Sequence, residues 1–365
     1  MNAHPPLTIR DLRVRAAHVP LRIPLQTSSG TIHIAPLALI DLLTDEGVTG
    51  STYLFCYTPL VLKPVVQLLN ELLPVVKGDA VAPLELDRKL RARFRLLGVK
   101  GVVGMALAGI DMAAWDALSK AQGLPLARAL GGELRRIPAY NSCGLGMIGA
   151  ERAAAEAQQL AAPGFPAIKV RLGYADPATD LAVVRAVRRA IGDGVHLMSD
   201  YNQALSVADA SARIQALDGE GLYWVEEPTS ADDHAGHAQI RSRTRSRIQM
   251  GENWWGPHEM AVCVAAGASD FGMPDAMKIG GVTGWLRAAA IGETAGLPLS
   301  SHLFPEISSH LLAVTPTAHW LEYVDWADPV LQEPLRVEAG HVTPPDVPGS
   351  GIRWNEDGIK RCLVP

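Results

Sequence analysis

Cysteine is sparse in this chain. Four occur in 365 residues, and Cys56, Cys143, Cys263 and Cys362 stand far apart with no CxxC spacing. That pattern suggests neither a disulfide framework nor a zinc site, and the expectation is a reducing, cytoplasmic setting. Basic charge is not in excess either. Lys and Arg number 33 against 38 Asp and Glu, a formal net of −5, so there is no broad positive surface for nucleic acid. The one dense basic run, Arg241, Arg243, Arg245 and Arg247, alternates with small polar residues and reads as a solvated helix end. No stretch reaches about 18 apolar residues, and the opening MNAHPPLTIRDLRV lacks the apolar core of a signal peptide. Neither a membrane span nor a leader is expected.

What the sequence does contain changes character about a third of the way along. Residues 7–20 and 36–43 alternate or run apolar in strand fashion, and Thr44-Asp45-Glu46-Gly47 supplies a turn before a third strand at Val48–Cys56. Helical periodicity follows over about 59–76, 84–97 and 104–122. Strands first and helices afterwards is an α+β arrangement. From about residue 137, short apolar strands alternate with helices. The strands are Ala167–Val170, Val195–Ser199, Leu222–Val225, Ile248–Gly251, Asp270–Met273 and Leu297–Ser301; the helices between them include 178–191, 206–217, 257–267 and 283–295. So many consecutive strand–helix units predict a parallel (β/α) barrel. The expected division is an N-terminal α+β domain over 1–133, a barrel over 134–330, and a Pro- and Gly-rich segment over 331–365 that folds back toward the first domain.

Three acids fall where consecutive strands end: Asp200 in Met-Ser-Asp-Tyr-Asn, Glu226 in Trp-Val-Glu-Glu-Pro and Glu252 in Met-Gly-Glu-Asn. They are spaced 26 residues apart, 200 to 226 and 226 to 252, which is about one βα unit. Each acid therefore occupies an equivalent place on the C-terminal rim of the barrel. One strand-end acid would be an ordinary solvated loop residue. Three in register would repel one another across one mouth unless a cation sits between them, and all-oxygen ligation selects a hard ion, Mg²⁺ before Ca²⁺ or Mn²⁺.

The register continues through Asp275 and, 27 residues on, His302. A lone histidine there would be a satisfied core residue more often than a catalyst. Beside Asp275 it reads as a general base, because a carboxylate accepting from one ring nitrogen fixes the tautomer and raises the basicity of the other. Glu322 falls at the next strand position, where it fits either a protonated donor or a surface acid. Lys169 and Arg171 alternate along one strand, so both point to one face, either interior or toward the helices. Cations beside an acidic metal site suit a substrate that is itself an anion.

Two glycine-rich segments invite another reading. Gly144-Leu-Gly-Met-Ile-Gly149 follows an apolar strand and precedes an Ala-rich helix, superficially a dinucleotide fingerprint. The acid expected about 20 residues later is missing, with Lys169 and Arg171 standing there instead, and an NADP site would leave the three acids unexplained. Gly280-Gly-Val-Thr-Gly284 would serve either as a phosphate cradle or, more simply, as a tight βα turn. A non-catalytic metal-binding protein is the third class to separate from an enzyme.

The stretches TSSGTIH, APLALIDL, YLFCYTP, AGIDMAAWDAL, DYNQ, WVEEPT, QMGENW, PDAMKIGGVTGW, SSHLF and TPTAHWLE resemble the mandelate racemase subgroup of the enolase superfamily over essentially the whole chain. The resemblance implies a capping α+β domain on a (β/α)₇β barrel, with Mg²⁺ held by Asp200, Glu226 and Glu252. It implies a His302–Asp275 dyad as one base, with Lys169 and Glu322 on the substrate carboxylate. Asn202 is placed near the metal and substrate hydroxyl, and Lys278 one layer behind. Leu25 and Tyr57 of the cap would close over the substrate side group, with Ser142 lining the pocket. A small-molecule carboxylate is the implied partner, and a homo-oligomer, up to an octamer, the implied assembly.

The chain departs from that family at Arg171, where the family carries a second lysine as base for the opposite enantiomer. A guanidinium titrates roughly 6 units above neutrality, so freeing its lone pair costs roughly 8 kcal/mol. A positioned base contributes about 10²–10⁴-fold, or roughly 3–5 kcal/mol. The penalty exceeds the gain, and Arg171 suits an oxyanion or carboxylate better than a proton. Bases on both faces would give racemisation of a 2-hydroxy acid; a single base acting twice suits dehydration of an acid sugar. Both outcomes follow abstraction of the proton beside a carboxylate.

Overall fold

A computed structural model describes residues 7–364; the first six residues, part of the opening stretch considered above, lie outside the described residues. Three antiparallel strands come first: β1 (Ile9–Thr27), β2 (Gly30–Thr44) and β3 (Thr49–Phe55), in the order β1-β2-β3. The first two are far longer than the sequence suggests, at 19 and 15 residues. Pro20 and Pro24 interrupt the apolar alternation, but the pairing absorbs them at a register shift between Pro20 and Leu25 and then resumes to a turn before Gly30. The resulting hairpin tip lies against the barrel, where Met147 N donates to Gln26 O at 2.8 Å. A Cβ on Gly146 would lie 2.6 Å from Gln26 backbone atoms. The glycines of the 144–149 segment thus admit the cap hairpin rather than a dinucleotide.

Helices α1 (Pro59–Val76), α2 (Pro83–Arg93) and α3 (Gly101–Ala121) complete the cap. By length and mean composition α1 and α3 would each suffice to cross a membrane, although polar residues interrupt both apolar runs. The reason for their apolar character is packing: α3 is mostly buried, and α1 turns Leu62, Val65, Leu69, Leu72 and Val76 inward at helical spacing. Both are core helices of the cap.

After the short α4 (Leu126–Ala129), strands and helices alternate. The strands are β4 (Ile137–Asn141), β5 (Ala167–Arg171), β6 (His196–Asp200), β7 (Leu222–Glu226), β8 (Ile248–Met250) and β9 (Phe271–Gly272). The helices are α5 (Ala150–Ala161), α6 (Pro177–Ile191), α7 (Val207–Leu217), α8 (His234–Arg243), α9 (Pro257–Ala265), α10 (Gly281–Ala295) and α11 (Pro305–Ala313). Strands β4 to β9 pair in parallel and in sequence order. Single bridges from Leu299 to Gly272 and to Ala318 carry the ring on to β10 (Leu321–Tyr323), which pairs with β4. The result is the (β/α)₇β barrel. Arg241 and Arg243 fall in the last turn of α8 and are exposed.

The C-terminal segment contributes β11 (His341–Val342), antiparallel to β4, and α12 (Glu356–Cys362). Trp354 Nε1 donates to Asp41 Oδ1 at 2.6 Å, and Val364 N to Ala16 O at 2.9 Å, which ties this segment to the cap strands. A second seam joins cap to barrel. Asp111 of α3 accepts from Thr283 N and Thr283 Oγ at the start of α10, and burial pushes its carboxyl up to about 7. A Cβ on Gly281 would strike that carboxylate at 2.2 Å. The Gly280–Gly284 turn is therefore filled by protein and is no phosphate cradle.

Candidate active site

Strand geometry delivers the three predicted acids to one place. Asp200 and Glu226 end β6 and β7, paired in register, and Glu252 lies two residues beyond β8. Among the described residues they form the one group of three or more His, Cys, Asp or Glu that could hold a metal ion, with one oxygen from each within 4.8 Å of the others. Three converging carboxylate oxygens fit a hard divalent cation. Burial, then the Asp200 charge, drives the Glu226 carboxyl well above its usual range, as expected for like charges brought together.

Lys169 holds part of this charge. Its Nζ lies 2.7 Å from Glu226 Oε1, 2.9 Å from Glu322 Oε1 and 3.4 Å from Asp200 Oδ2, with its side chain 1% exposed. Burial alone would lower its pKa, but Glu226, Glu322 and Asp200 outweigh burial and raise it. Glu322 is the converse. Burial would raise it, yet Lys169 and His302 hold it well below the carboxylate range. The side chain is buried, pairs with Lys169 and accepts from Leu303 N at 2.8 Å. It is thus a buried partner of Lys169 and not the surface acid that was one of the two sequence readings.

His302 meets Asp275 as the register predicts. Nδ1 lies 2.7 Å from Asp275 Oδ2, and Nε2 faces Glu252 Oε2 at 3.2 Å. Burial lowers the ring's pKa; Glu252, Glu322 and Asp275 more than reverse this, so the net direction is up. The same Asp275 accepts from Met277 N and Lys278 N through Oδ1, which fixes the carboxylate that orients the ring. Leu303, directly after the histidine, has φ 49, and Asn202 and Glu227, just past two of the acids, have φ 44 and 34. Non-glycine left-handed backbone of this kind gathers where local conformation serves a site.

Asn202, Lys278, Tyr57 and Ser142 connect to this centre through neighbouring side chains. Asn202 Nδ2 donates to Asp200 Oδ2 at 3.1 Å. Lys278 Nζ donates to Asn253 Oδ1 at 2.6 Å and sits 4.2 Å from the Tyr57 ring centroid, a cation–π contact between barrel and cap. Tyr57 packs on Phe55 and its buried Oη has no partner. Leu25 is buried in the cap hairpin, and Ser142 accepts from Arg171 Nη2 at 2.8 Å. Sequence reasoning passed over Glu227 and Asn253. Burial, then Glu252, pushes Glu227 up to about 8, and Asn253 Nδ2 donates to Glu227 Oε2 at 2.7 Å. The available signal was the doubled acid Glu226-Glu227 and the Asn following Glu252.

An enolase-like barrel with a strand-end carboxylate triad, a buried lysine and a His–Asp pair defines a class of carbon-acid enzymes, isomerases and lyases. Residues 9–131 match the mandelate racemase / muconate lactonizing enzyme N-terminal domain and residues 152–358 the enolase C-terminal domain-like family. The chain belongs to this family. It is 32% identical over 71% of its length to an L-talarate/galactarate dehydratase of Salmonella typhimurium, spanning 66% of that protein. It is 30% identical over 94% of its length to a 3,6-anhydro-α-L-galactonate cycloisomerase of Streptomyces coelicolor, spanning 97% of that one. Among solved structures, an enolase from Bradyrhizobium complexed with magnesium and mandelic acid is 45% identical, covers 100% of both chains and superposes with a TM-score of 0.95.

Proposed function

We propose that the protein removes the α-proton of a 2-hydroxycarboxylate, with His302 as the single base and Mg²⁺ on Asp200, Glu226 and Glu252. The observation that carries this is the His302–Asp275 pair at 2.7 Å, opening onto the three clustered carboxylates. Bound Mg²⁺ supplies positive charge where the substrate carboxylate becomes an enediolate. Lys169, held cationic by its acids, adds a second fixed charge at the same place, and it needs no rearrangement as the charge develops. Asp275 holds the imidazole so that Nε2 faces the mouth and takes the proton. Asn202, beside Asp200, stands where the substrate hydroxyl would lie. Leu25, Phe55 and Tyr57 close the cap side with apolar surface, which suits an apolar or aromatic group on C2.

A second reading, dehydration of an acid sugar to a 2-keto-3-deoxy acid, is favoured by similarity to the talarate/galactarate dehydratase and by Arg171. The setting proposed with either is a soluble, cytoplasmic homo-oligomer, up to an octamer; a monomeric mass in light scattering at micromolar concentration would contradict that assembly. The chemistry is tested by incubating the Mg²⁺-loaded protein with 2-hydroxy acids and acid sugars in D₂O. Deuterium at C2, optical change and 2-keto product are then followed together. Deuterium in at least one acid, dependent on Mg²⁺, is the expected result. Its absence throughout the panel would refute proton abstraction.

A further inference from the structure

Arg171 ends β5, three strands around the ring from the segment carrying His302, so the two approach the mouth from different sides. Its guanidinium is fixed from behind. Nη1 donates to the carbonyls of Ser142 and Gly144, both at 3.0 Å, and Nη2 donates to Ser142 Oγ at 2.8 Å. Nε alone among the three nitrogens is buried with no hydrogen-bond partner. It faces Asp200 Oδ2 across 4.0 Å, beyond hydrogen-bond reach. The side chain is 5% exposed. A buried, charged N–H without an acceptor is unfavourable, and it is held there by contacts that leave it no freedom to find one.

From this we infer that Arg171 sets substrate specificity: its Nε–H donates to an oxygen on the substrate's C3, so the preferred substrates are 2,3-dihydroxycarboxylates rather than 2-hydroxy acids with a bare hydrocarbon arm. The inference rests on the proposed binding of a 2-hydroxycarboxylate at this mouth. The substrate carboxylate and C2 hydroxyl are taken up by Lys169, the metal site and Asn202. The next atom able to offer an acceptor on the Arg171 side is then the C3 substituent. A methylene there would leave the N–H buried and unpaired. Sites built around such a donor reject analogues lacking the acceptor far more strongly than apolar pockets reject an added hydroxyl. The apolar cap and the charged wall are then compatible, one facing the distal arm and the other C3.

The test compares 3-phenyllactate with 2,3-dihydroxy-3-phenylpropanoate, which differ only by the C3 hydroxyl. Both are titrated calorimetrically into Mg²⁺-loaded His302→Asn protein, so that binding is read without turnover. The dihydroxy acid should bind about ten- to a hundredfold more tightly in one of its C3 configurations, the range for a hydrogen bond to a charged donor. Adding Arg171→Met, which keeps the stem and removes every donor, should erase that preference. Equal affinities for all forms, a preference that survives Arg171→Met, or no measurable binding of either acid would overturn the inference. Deuterium exchange in the unmodified protein judges the proton-abstraction reading separately, since the binding preference can hold with or without exchange.

Discussion

The two ends of the barrel are built from the same strands and do opposite things. On β7, Trp224 belongs to the closed end and Glu226, two residues later, to the open one. The closed end is an aromatic plug: Tyr223 stacks on Phe271 at 6.0 Å, Phe271 meets His319 at 4.8 Å, and Trp224 and Trp320 pack edge-on against Tyr223. Within it His319 is kept neutral, with burial pushing the ring down to about 4. The open end gathers Asp200, Glu226 and Glu322 around one lysine, with Glu252 beside the first two and facing His302, each buried or nearly so. One end contributes stability by removing charge and area from water. The other concentrates charge and works against folding until a cation and a substrate enter, as sites tuned for chemistry commonly do.

Substitutions at the two ends should therefore move stability and activity in opposite directions. The largest effect is expected at the mouth. Glu252→Gln should lower Mg²⁺-dependent turnover by about 10²–10³-fold or more and remove the thermal stabilisation given by millimolar Mg²⁺. It should also raise the melting temperature of metal-free protein, because the charge facing Glu227 is gone. Scanning calorimetry with and without Mg²⁺ reads both; an unchanged Mg²⁺ response would detach Glu252 from the metal. At the closed end, Trp320→Ala should cost about 3–5 kcal/mol in chemical denaturation, with the Mg²⁺ response intact. A loss under about 1 kcal/mol would mean that the plug contributes little.

The smallest effect is one of pH. The folded pKa of His319, about 4, lies below its ordinary 6.5, so between those values the unfolded chain binds more protons than the folded one. The stability contributed by a neutral His319 is full above pH 6.5 and lost as pH falls toward 4, at most about 3 kcal/mol at 1.36 kcal/mol per unit. Replacing the ring with a group that cannot titrate, His319→Phe, should flatten the slope of unfolding free energy in that window. An unaltered slope would assign the acid sensitivity elsewhere.

The contrast also explains what could be read from the sequence. The acids, Asp275 and His302 were legible because each barrel strand is short and is followed by one helix, so a functional residue recurs once per unit at nearly constant spacing. The cap hairpin was not, because Pro20 and Pro24 look like strand breakers until the register shift that accommodates them is seen. The Lys278–Tyr57 contact joins residues far apart in the chain, and no periodicity announces it. Glu322 shows the same limit. Its strand position was evident, but its burial against Lys169 at 2.9 Å was not, because only the closed ring brings the two together. Arg171 was conspicuous as a departure, while its lock on Ser142 and Gly144 depends on the loop after β4.

The account stands on one base acting from one face. The direct measurement is enantiomer-resolved exchange at C2 in D₂O, for the unmodified protein, His302→Asn and Arg171→Lys. A single enantiomer should exchange in the unmodified protein, and none in His302→Asn. Arg171→Lys should begin to exchange the other enantiomer, because a buried lysine can lose its proton within several units of neutrality where a guanidinium cannot. Rapid exchange of both enantiomers by the unmodified protein, persisting in His302→Asn, would contradict the one-base account.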